Sequence, residues 1–394
     1  MLKIYLFEWL SLALKFFHVI VGIAWIGASF YFNWLENKLN RVANREGIAG
    51  HLWAVHGGGF YYLEKYKKYP QKLPETLHWF KWEAYLTWIS GFSLLIVIYY
   101  FNASAYLLIN GSNIEPYIAS LLSILGLILI WIFYDLLCKS SLIDKPSVFI
   151  FLMISSIAFS AYIYSLVFNP RAVYLQVGAM LGTIMAANVF FVIIPVQKVL
   201  VRACEDKANV SSELGKKGYI RSRHNNYITL PVIFTMISGH YPIIYSSNHS
   251  WLVLLAVFSI TVMIRHYFNL KGIGEAKNSI VWAIVVSIFI LIIYLAPSTN
   301  NSNEKIKISN KDVQKVINIH CTSCHSTYPS DDIFKVAPAG LVLDTEELIY
   351  KNRDRVYQNT VVTKNMPFNN KTNMTEKERK IISDWYIGIE NEQN

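Results

Sequence analysis

Eight long apolar runs constrain this chain more than any other feature of its sequence. A helix that crosses the hydrocarbon core of a bilayer needs about 20 predominantly apolar residues. The mean hydropathy of +0.32 and a hydrophobic content of 54% are too high for a soluble protein of 394 residues. The runs lie at residues 9–34, 82–101, 117–137, 148–168, 174–201, 227–246, 251–270 and 281–296. We therefore predict an all-α fold whose residues 1–297 form an eight-helix transmembrane bundle.

Basic residues alternate between the loops that join these runs. Lysine and arginine are abundant after the first, third, fifth and seventh runs, whereas the other loops carry only Arg171. Because basic loops stay on the cytoplasmic side, we expect both ends of the chain to lie outside. The formal net charge of +10 belongs to the membrane part, since residues 298–394 contain 13 basic and 13 acidic side chains. The excess of basic residues therefore reflects the membrane topology, and we predict no nucleic-acid partner.

A Cys-x-x-Cys-His pentapeptide indicates the chemistry of the C-terminal part. Cys321 and Cys324 have the spacing that adds to the two vinyl groups of a haem, and His325 is then placed to bind the iron. The alternatives are a zinc half-site and a thioredoxin-like redox pair. Zinc would need a second ligand pair, and a redox pair would not need the histidine. We therefore predict one covalent haem c with His325 as an iron ligand.

The sixth ligand of the iron is predicted at Met366, which precedes Pro367 before the last helix. Met374 is the competing methionine. It directly precedes Thr375 and Glu378, whose spacing is that of a capping box that begins a helix. We therefore interpret Met374 as a core residue and Met366 as the metal ligand.

These features predict a small class I-like cytochrome c domain over residues 304–394, joined by a polar linker at 298–303. Covalent haem attachment belongs to the outer side of bacterial membranes, which is the side that the loop charges assign to the C-terminal part. We therefore expect a multi-pass protein of the bacterial inner membrane, with its N-terminus and its cytochrome c domain on the outer side.

Several polar residues lie inside the apolar runs, where ionisable groups are costly and often functional. His18 and His240 have similar predicted depths in the outer half of the bilayer, so the pair suits the ligation of a b-type haem. The alternative is that each histidine is structural. Lys15 is explained equally well by snorkelling to the surface, and Asn188 by an interhelical hydrogen bond.

Six blocks along the chain carry a resemblance to one known family. They read HVIVGIAWIG (18–27) followed by SFYF (29–32), WAVHGGGFY (53–61), LHWFKWEAY (77–85), RHNNY (223–227), FKVAP (334–338) and MPFNNKT (366–372). Their residues and order resemble the membrane urate hydroxylases of the PuuD type, which have a fused C-terminal cytochrome c domain. The resemblance implies an enzyme that hydroxylates urate to 5-hydroxyisourate with water as the oxygen source. It also implies that electrons pass to its own haem c and then to a downstream cytochrome c or terminal oxidase.

Candidate catalytic residues lie in the segments predicted to be cytoplasmic. A purine anion needs a cation, amide hydrogen bonds and an aromatic surface, and the block at 223–227 offers them next to Arg221. Acid–base chemistry needs histidine or carboxylate groups. The alternative is that the arginines only follow the topology rule. The candidates are His56, His78, Glu83, Arg223, His224 and Asn225.

The sequence is also compatible with two other classes of function. One is a non-catalytic, membrane-anchored cytochrome c subunit of an oxidase complex, although an anchor needs one helix rather than eight. The other is a transporter with a redox tail.

Overall fold

The computed structural model describes residues 2–42, 45–208, 212–247, 249–296 and 308–393, and they are mostly helical. The predicted linker at 298–303 lies outside the described residues. In the membrane part the elements are α1 (Leu2–Lys38), β1 (Ile48–His56), β2 (Gly59–Tyr66), α2 (Trp82–Leu94), α3 (Ala103–Tyr106), α4 (Pro116–Lys139), α5 (Pro146–Ser165), α6 (Pro170–Ala187), α7 (Ile194–Glu205), α8 (Ser212–Ser238), α9 (Pro242–Tyr245), α10 (Ser250–Gly272) and α11 (Asn278–Leu295). The C-terminal part contains α12 (Asn310–His320), α13 (Glu346–Lys351), α14 (Arg353–Tyr357) and α15 (Glu376–Gln393).

Within the described ranges, seven helical segments are long and apolar enough to cross a membrane. Two of them are continued by π-helical turns, Leu95–Tyr100 after α2 and Asn188–Ile193 between α6 and α7. The segments are Tyr5–Lys38, Trp82–Tyr100, Pro116–Lys139, Pro146–Ser165, Pro170–Glu205, Ser250–Gly272 and Asn278–Leu295. They match seven of the eight predicted runs.

The remaining run, predicted at 227–246, is not among these seven segments, and it does not form a single helix. Helix α8 starts far earlier, at Ser212, and ends at Ser238. The backbone N–H groups of His240 and Tyr241 bond back to Ile237 and Ser238, and Pro242 then begins the short helix α9. The N-terminal half of α8 is polar, so its apolar stretch is shorter than the predicted run.

The segment between α1 and α2 adds one antiparallel hairpin to a fold that is otherwise helical in the described residues, as predicted. Strands β1 and β2 pair in the register Leu52 opposite Leu63 and Ala54 opposite Tyr61. Gly57 and Gly58 form the turn with φ of 58° and 81°, a conformation that favours glycine and suits a two-residue hairpin. The Gly-Gly pair between alternating apolar residues was the sequence feature that indicates such a hairpin.

Helix α6 lies at the centre of the membrane part and contacts α2, α4, α5, α8 and α10. Its Tyr174 is fully buried, and the phenol hydroxyl donates to the carbonyl oxygens of Ile244 and Ser250. Gln176 is also buried, donating to the Ser123 carbonyl oxygen and accepting from the Ser123 hydroxyl. Paired polar groups therefore fix how the helices meet inside an otherwise apolar core.

The C-terminal part has a small core of its own between α12 and α15, which includes Ile317, Met374, Ile382 and Trp385. The capping box forms as predicted: the Thr375 N–H donates to Glu378 at 2.8 Å, and the Glu378 N–H donates to the Thr375 hydroxyl at 3.3 Å.

The C-terminal part contacts the segments of the membrane part that precede α4 and α10. Asn110 Nδ2 donates to the Asn370 carbonyl oxygen at 2.8 Å, and Asn369 Nδ2 donates to the Leu108 carbonyl oxygen at 2.9 Å. The ring of Tyr106 lies 5.2 Å from that of Phe368. Tyr245 donates to Asn365 at 3.3 Å. These loops are the ones that the charge pattern places on the same side as the C-terminal part.

Gly178 provides a test of the close packing of α6 against α8. A Cβ atom at Gly178 would lie 2.1 Å from the hydroxyl oxygen of Thr235, whereas one at Gly182 in the same helix would meet nothing within 4 Å. We expect Gly178→Ala to destabilise the protein by about 1–3 kcal/mol, the usual cost of overpacking. Thermal unfolding in detergent measures this difference, with Gly182→Ala as the matched control. Equal melting temperatures for the two variants would contradict the packing.

Candidate functional site

A cavity of about 310 Å³ lies where the C-terminal part meets the membrane part. We call it the junction cavity. Cys321, Cys324, His325 and Met366, the four predicted haem residues, all line it. Phe334 and Phe368 supply apolar wall, and Tyr106 and Arg171 reach it from the membrane part. Residues that are 45 positions apart in the sequence are therefore brought to one apolar space, as a haem c site requires.

The ring of His325 is oriented for metal binding. Its Nδ1–H donates to the carbonyl oxygen of Leu341 at 3.0 Å, which fixes the ring and leaves Nε2 as the available ligand atom. Burial lowers the pKa of His325, which favours the neutral imidazole that a metal ligand requires.

The cysteine environment differs from that of a thioredoxin-like pair. Burial raises the pKa of the Cys321 thiol to about 12, whereas the reactive thiol of such a pair has a lowered pKa. Burial likewise raises the pKa of Cys324. The donor set and the apolar walls therefore fit a covalently held haem better than a dithiol redox site.

The two candidate methionines lie in different surroundings. The backbone of Met366 is held by two hydrogen bonds: its N–H donates to Asn359 at 2.9 Å, and its carbonyl accepts from Arg379 at 2.8 Å. Met374 is 4% exposed and packs in the core of the C-terminal part. Met366 is thus the methionine that lines the junction cavity.

A second group of polar residues lies at the opposite end of the bundle, and we call it the inner polar cluster. It consists of Asp135 and Tyr134 from α4, Asn188 from the π-helical turn, and Arg221, His224 and Asn225 from α8. Arg221 Nη2 donates to Asp135 at 2.7 Å and its Nη1 donates to Asn188 at 3.2 Å. Asn188 Nδ2 donates to Asn225 at 2.8 Å, and Asn225 donates to the Met185 carbonyl oxygen at 2.9 Å. The hydroxyl of Tyr134 lies 2.8 Å from His224 Nδ1.

The π-helical turn explains how this cluster forms. The extra residue of a π-turn alters the direction of the side chains, and such turns are frequent at functional sites. Asn188 begins the turn and is fully buried, so its amide joins residues of α4 and α8. The next residue, Val189, packs against Ala84 at the start of α2.

Glu83 lies at that same start of α2, and its surroundings are unusual. Its Oε2 is buried and has no hydrogen-bond partner among the described residues. Its Oε1 lies 4.0 Å from Nε2 of the exposed His78. A carboxylate oxygen that is buried and unpaired carries a desolvation cost that a bound ligand or water would remove.

The other predicted residues are more scattered. Arg223 is exposed on α8, and His56 is exposed at the end of β1. His18 packs on α2, where its Nδ1 lies 2.9 Å from the Ser90 hydroxyl. His240 is exposed beyond the end of α8. Of the six candidate catalytic residues, the structure therefore brings together His224 with Asn225, and His78 with Glu83.

Sequence reasoning missed Asp135, Tyr134 and Arg265. Arg265 is buried and donates to Asn226 at 2.9 Å. Asp135 carries the only charge in the run at 117–137, and an ionisable residue in such a run could have identified it. Its partner Arg221 lies 86 positions away, and no local pattern indicates that pairing.

The described fold and its buried polar residues define a multi-helix membrane protein with polar centres at both ends of its bundle. The chain belongs to the urate oxidase N-terminal family, whose model matches residues 4–296. The match covers the membrane part and does not include the C-terminal part. No curated protein and no solved structure matches the chain.

The pair of Asp135 and Arg221 provides a test of the inner polar cluster. We expect Asp135→Asn to lower the free energy of unfolding by about 3–5 kcal/mol, because it leaves a buried guanidinium without its carboxylate. The side chain of Arg221 is only 6% exposed. Lys139 pairs with the same carboxylate at 2.6 Å but its side chain is 68% exposed, so Lys139→Gln should cost at most about 1 kcal/mol. Thermal unfolding in detergent compares the two variants, and similar losses would refute a structural role for the buried pair.

Proposed function

We propose that this protein is a membrane-bound oxidoreductase that hydroxylates urate to 5-hydroxyisourate. Water supplies the oxygen, and the electrons pass to the chain's own haem c and then to a downstream cytochrome c or terminal oxidase. One observation carries the proposal: a membrane part of the urate oxidase N-terminal family is joined in one chain to a cavity lined by Cys321, Cys324, His325 and Met366.

The proposed reaction balances as urate plus water giving 5-hydroxyisourate, two protons and two electrons. Haem c, bound through Cys321 and Cys324 with His325 and Met366 as iron ligands, would supply a one-electron acceptor. Two sequential transfers or a second acceptor are therefore required. The chain's own residues must bind the purine, hold the attacking water and accept its proton.

We assign the proton transfer to Glu83, assisted by His78. A general base must present an unengaged oxygen to a water molecule, and Glu83 Oε2 is buried without a partner among the described residues. The inner polar cluster is close to Glu83, because Val189 in the π-helical turn packs against Ala84, the residue after Glu83. Within that cluster Arg221 pairs with Asp135 and Asn225 with Asn188, so these groups hold the helices that surround the proposed site.

A site at Glu83 is far from the junction cavity, because the hydrocarbon layer is about 30 Å thick. His18 contacts Ser90 on α2, seven residues after Glu83, or about 10 Å along a helix. The helical segment then continues to Tyr100. A b-type haem, for which His18 and His240 are the predicted ligands, would supply the second one-electron acceptor. This haem remains a prediction.

The proposed location is the bacterial inner membrane, with the haem c domain outside. Two features support it: the alternation of basic loops and the contact of the C-terminal part with loops that carry few basic residues.

The electron transfer can be tested by adding urate to the purified protein without oxygen. We expect a reduced c-type α-band to appear, together with 5-hydroxyisourate, and labelled water should place its oxygen in the product. The variant Cys321→Ser/Cys324→Ser should lose covalent haem and this band, while Cys138→Ser/Cys204→Ser serves as the matched control. Haem that urate does not reduce would favour a non-catalytic carrier or a transporter.

The proposed role of Glu83 predicts the effect of an isosteric change. Glu83→Gln should lower kcat about 10²–10⁴-fold, the usual contribution of a general base, while the haem spectrum stays unchanged. Glu75→Gln is the control, because Glu75 is exposed in the same segment. Steady-state kinetics with urate provides the measurement, and wild-type kcat in Glu83→Gln would assign the base elsewhere.

A further inference from the structure

Arg171 is the second residue of α6, and its guanidinium extends into the junction cavity. Its Nε is buried and has no hydrogen-bond partner among the described residues. Gly239 lies against this nitrogen, because a Cβ atom at Gly239 would lie 3.2 Å from Nε. A larger residue there would crowd the guanidinium. An unpaired buried donor on a charged group is costly, so an anion is the expected partner.

The other basic side chains that line the cavity, apart from the predicted iron ligand His325, are already paired. Lys371 donates to Asp331 at 2.8 Å and also to Asp332. His320 bonds to Thr372 at 2.8 Å and to Glu378 at 3.0 Å. Among the described lining residues, Arg171 is therefore the cation with capacity to bind an anion.

The two carboxylates that line the cavity, Asp331 and Asp332, are already paired with Lys371. The electrostatic neighbours of the Arg171 guanidinium include the hydroxyls of Tyr99, Tyr106 and Tyr245. These groups are neutral phenols, whereas a carboxylate would both accept a hydrogen bond and balance the charge. Charge-assisted bonds of arginine to carboxylate are among the strongest in proteins.

We propose that Arg171 binds a propionate carboxylate of the haem attached at Cys321 and Cys324. The inference rests on the haem c part of the proposed function, because the same cavity contains both the attachment residues and Arg171. It joins the haem to the membrane part by a contact that does not depend on the covalent linkage. The purine anion is the alternative source of an anionic group, and the experiment below distinguishes the two.

A fixed positive charge near the porphyrin stabilises the reduced haem relative to the oxidised haem, which carries one more positive charge. Loss of Arg171 should therefore lower the midpoint potential. We expect Arg171→Gln to favour the oxidised form by about tenfold, which is about 59 mV for a one-electron couple. Arg171→Lys keeps the charge but has no donor at the Nε position, so its potential should fall less.

The measurement is a mediated redox titration of the full-length protein, followed at the haem α-band with dithionite and ferricyanide and without urate. Arg202→Gln is the matched control, because Arg202 is exposed on α7, away from the cavity. A lowered potential in Arg171→Gln, with the control unchanged, supports the inference. Should Arg171→Gln fail to fold, Arg171→Met is titrated in its place; a lowered potential then supports the inference and a wild-type potential contradicts it.

A wild-type potential in a folded, haem-loaded Arg171→Gln overturns the inference. If that variant also shows a raised KM for urate, Arg171 binds the purine anion instead. The proposed function fails by a different observation, namely absence of haem from the wild type or absence of its reduction by urate. Since the titration uses chemical reductants, the two failures are separate.

Discussion

The contact between the loop at 366–370 and the loops of the membrane part is the constraint on which the proposed electron path depends. Asn110 and Asn369 donate to backbone carbonyl oxygens across this boundary, at 2.8 Å and 2.9 Å. Met366, at the start of the same loop, lines the junction cavity. The hydrogen bonds that dock the C-terminal part therefore also close the cavity against Tyr106 and Arg171. A C-terminal part that was merely tethered would place its cavity at no fixed distance from the bundle.

The features that could be predicted from sequence are those set by local chemistry. The spacing of Cys321, Cys324 and His325 follows from the geometry of the haem vinyl groups, and the capping box at Thr375 follows from the hydrogen bonds that a helix needs at its start. The seven apolar segments follow from bilayer thickness. In each case the physical requirement acts within a few residues, or along one continuous helix, so the pattern is visible without the fold.

The features that were missed depend either on contacts between residues distant in sequence or on which of two backbone conformations a segment adopts. The run at 227–246 is apolar enough to suggest one span, but Gly239 and Pro242 allow the chain to break and α8 instead extends backwards to Ser212. The hairpin at 48–66 was not predicted, although the Gly57–Gly58 pair that forms its turn is visible in the sequence. Asp135 and Arg221 pair across 86 positions, and only the packing of α4 and α8 against α6 brings them together.

Buried charged groups that have hydrogen-bond partners differ here from those that lack them. The first kind suits a structural role and the second a proposed functional one. In the inner polar cluster, Asp135, Asn188 and Arg221 satisfy one another, so their main physical effect is to hold three helices in register. Glu83 Oε2 and Arg171 Nε, in contrast, are buried without partners in the described part of the chain. A buried polar group without a hydrogen-bond partner costs free energy when no ligand is bound. A ligand that supplies the partner removes this cost. One of these groups suits the handling of a proton at one end of the bundle, and the other suits an anion beside the proposed haem. A carboxylate at one end of the bundle and a guanidinium at the other therefore fit a reaction in which protons are released at one end and electrons leave at the other.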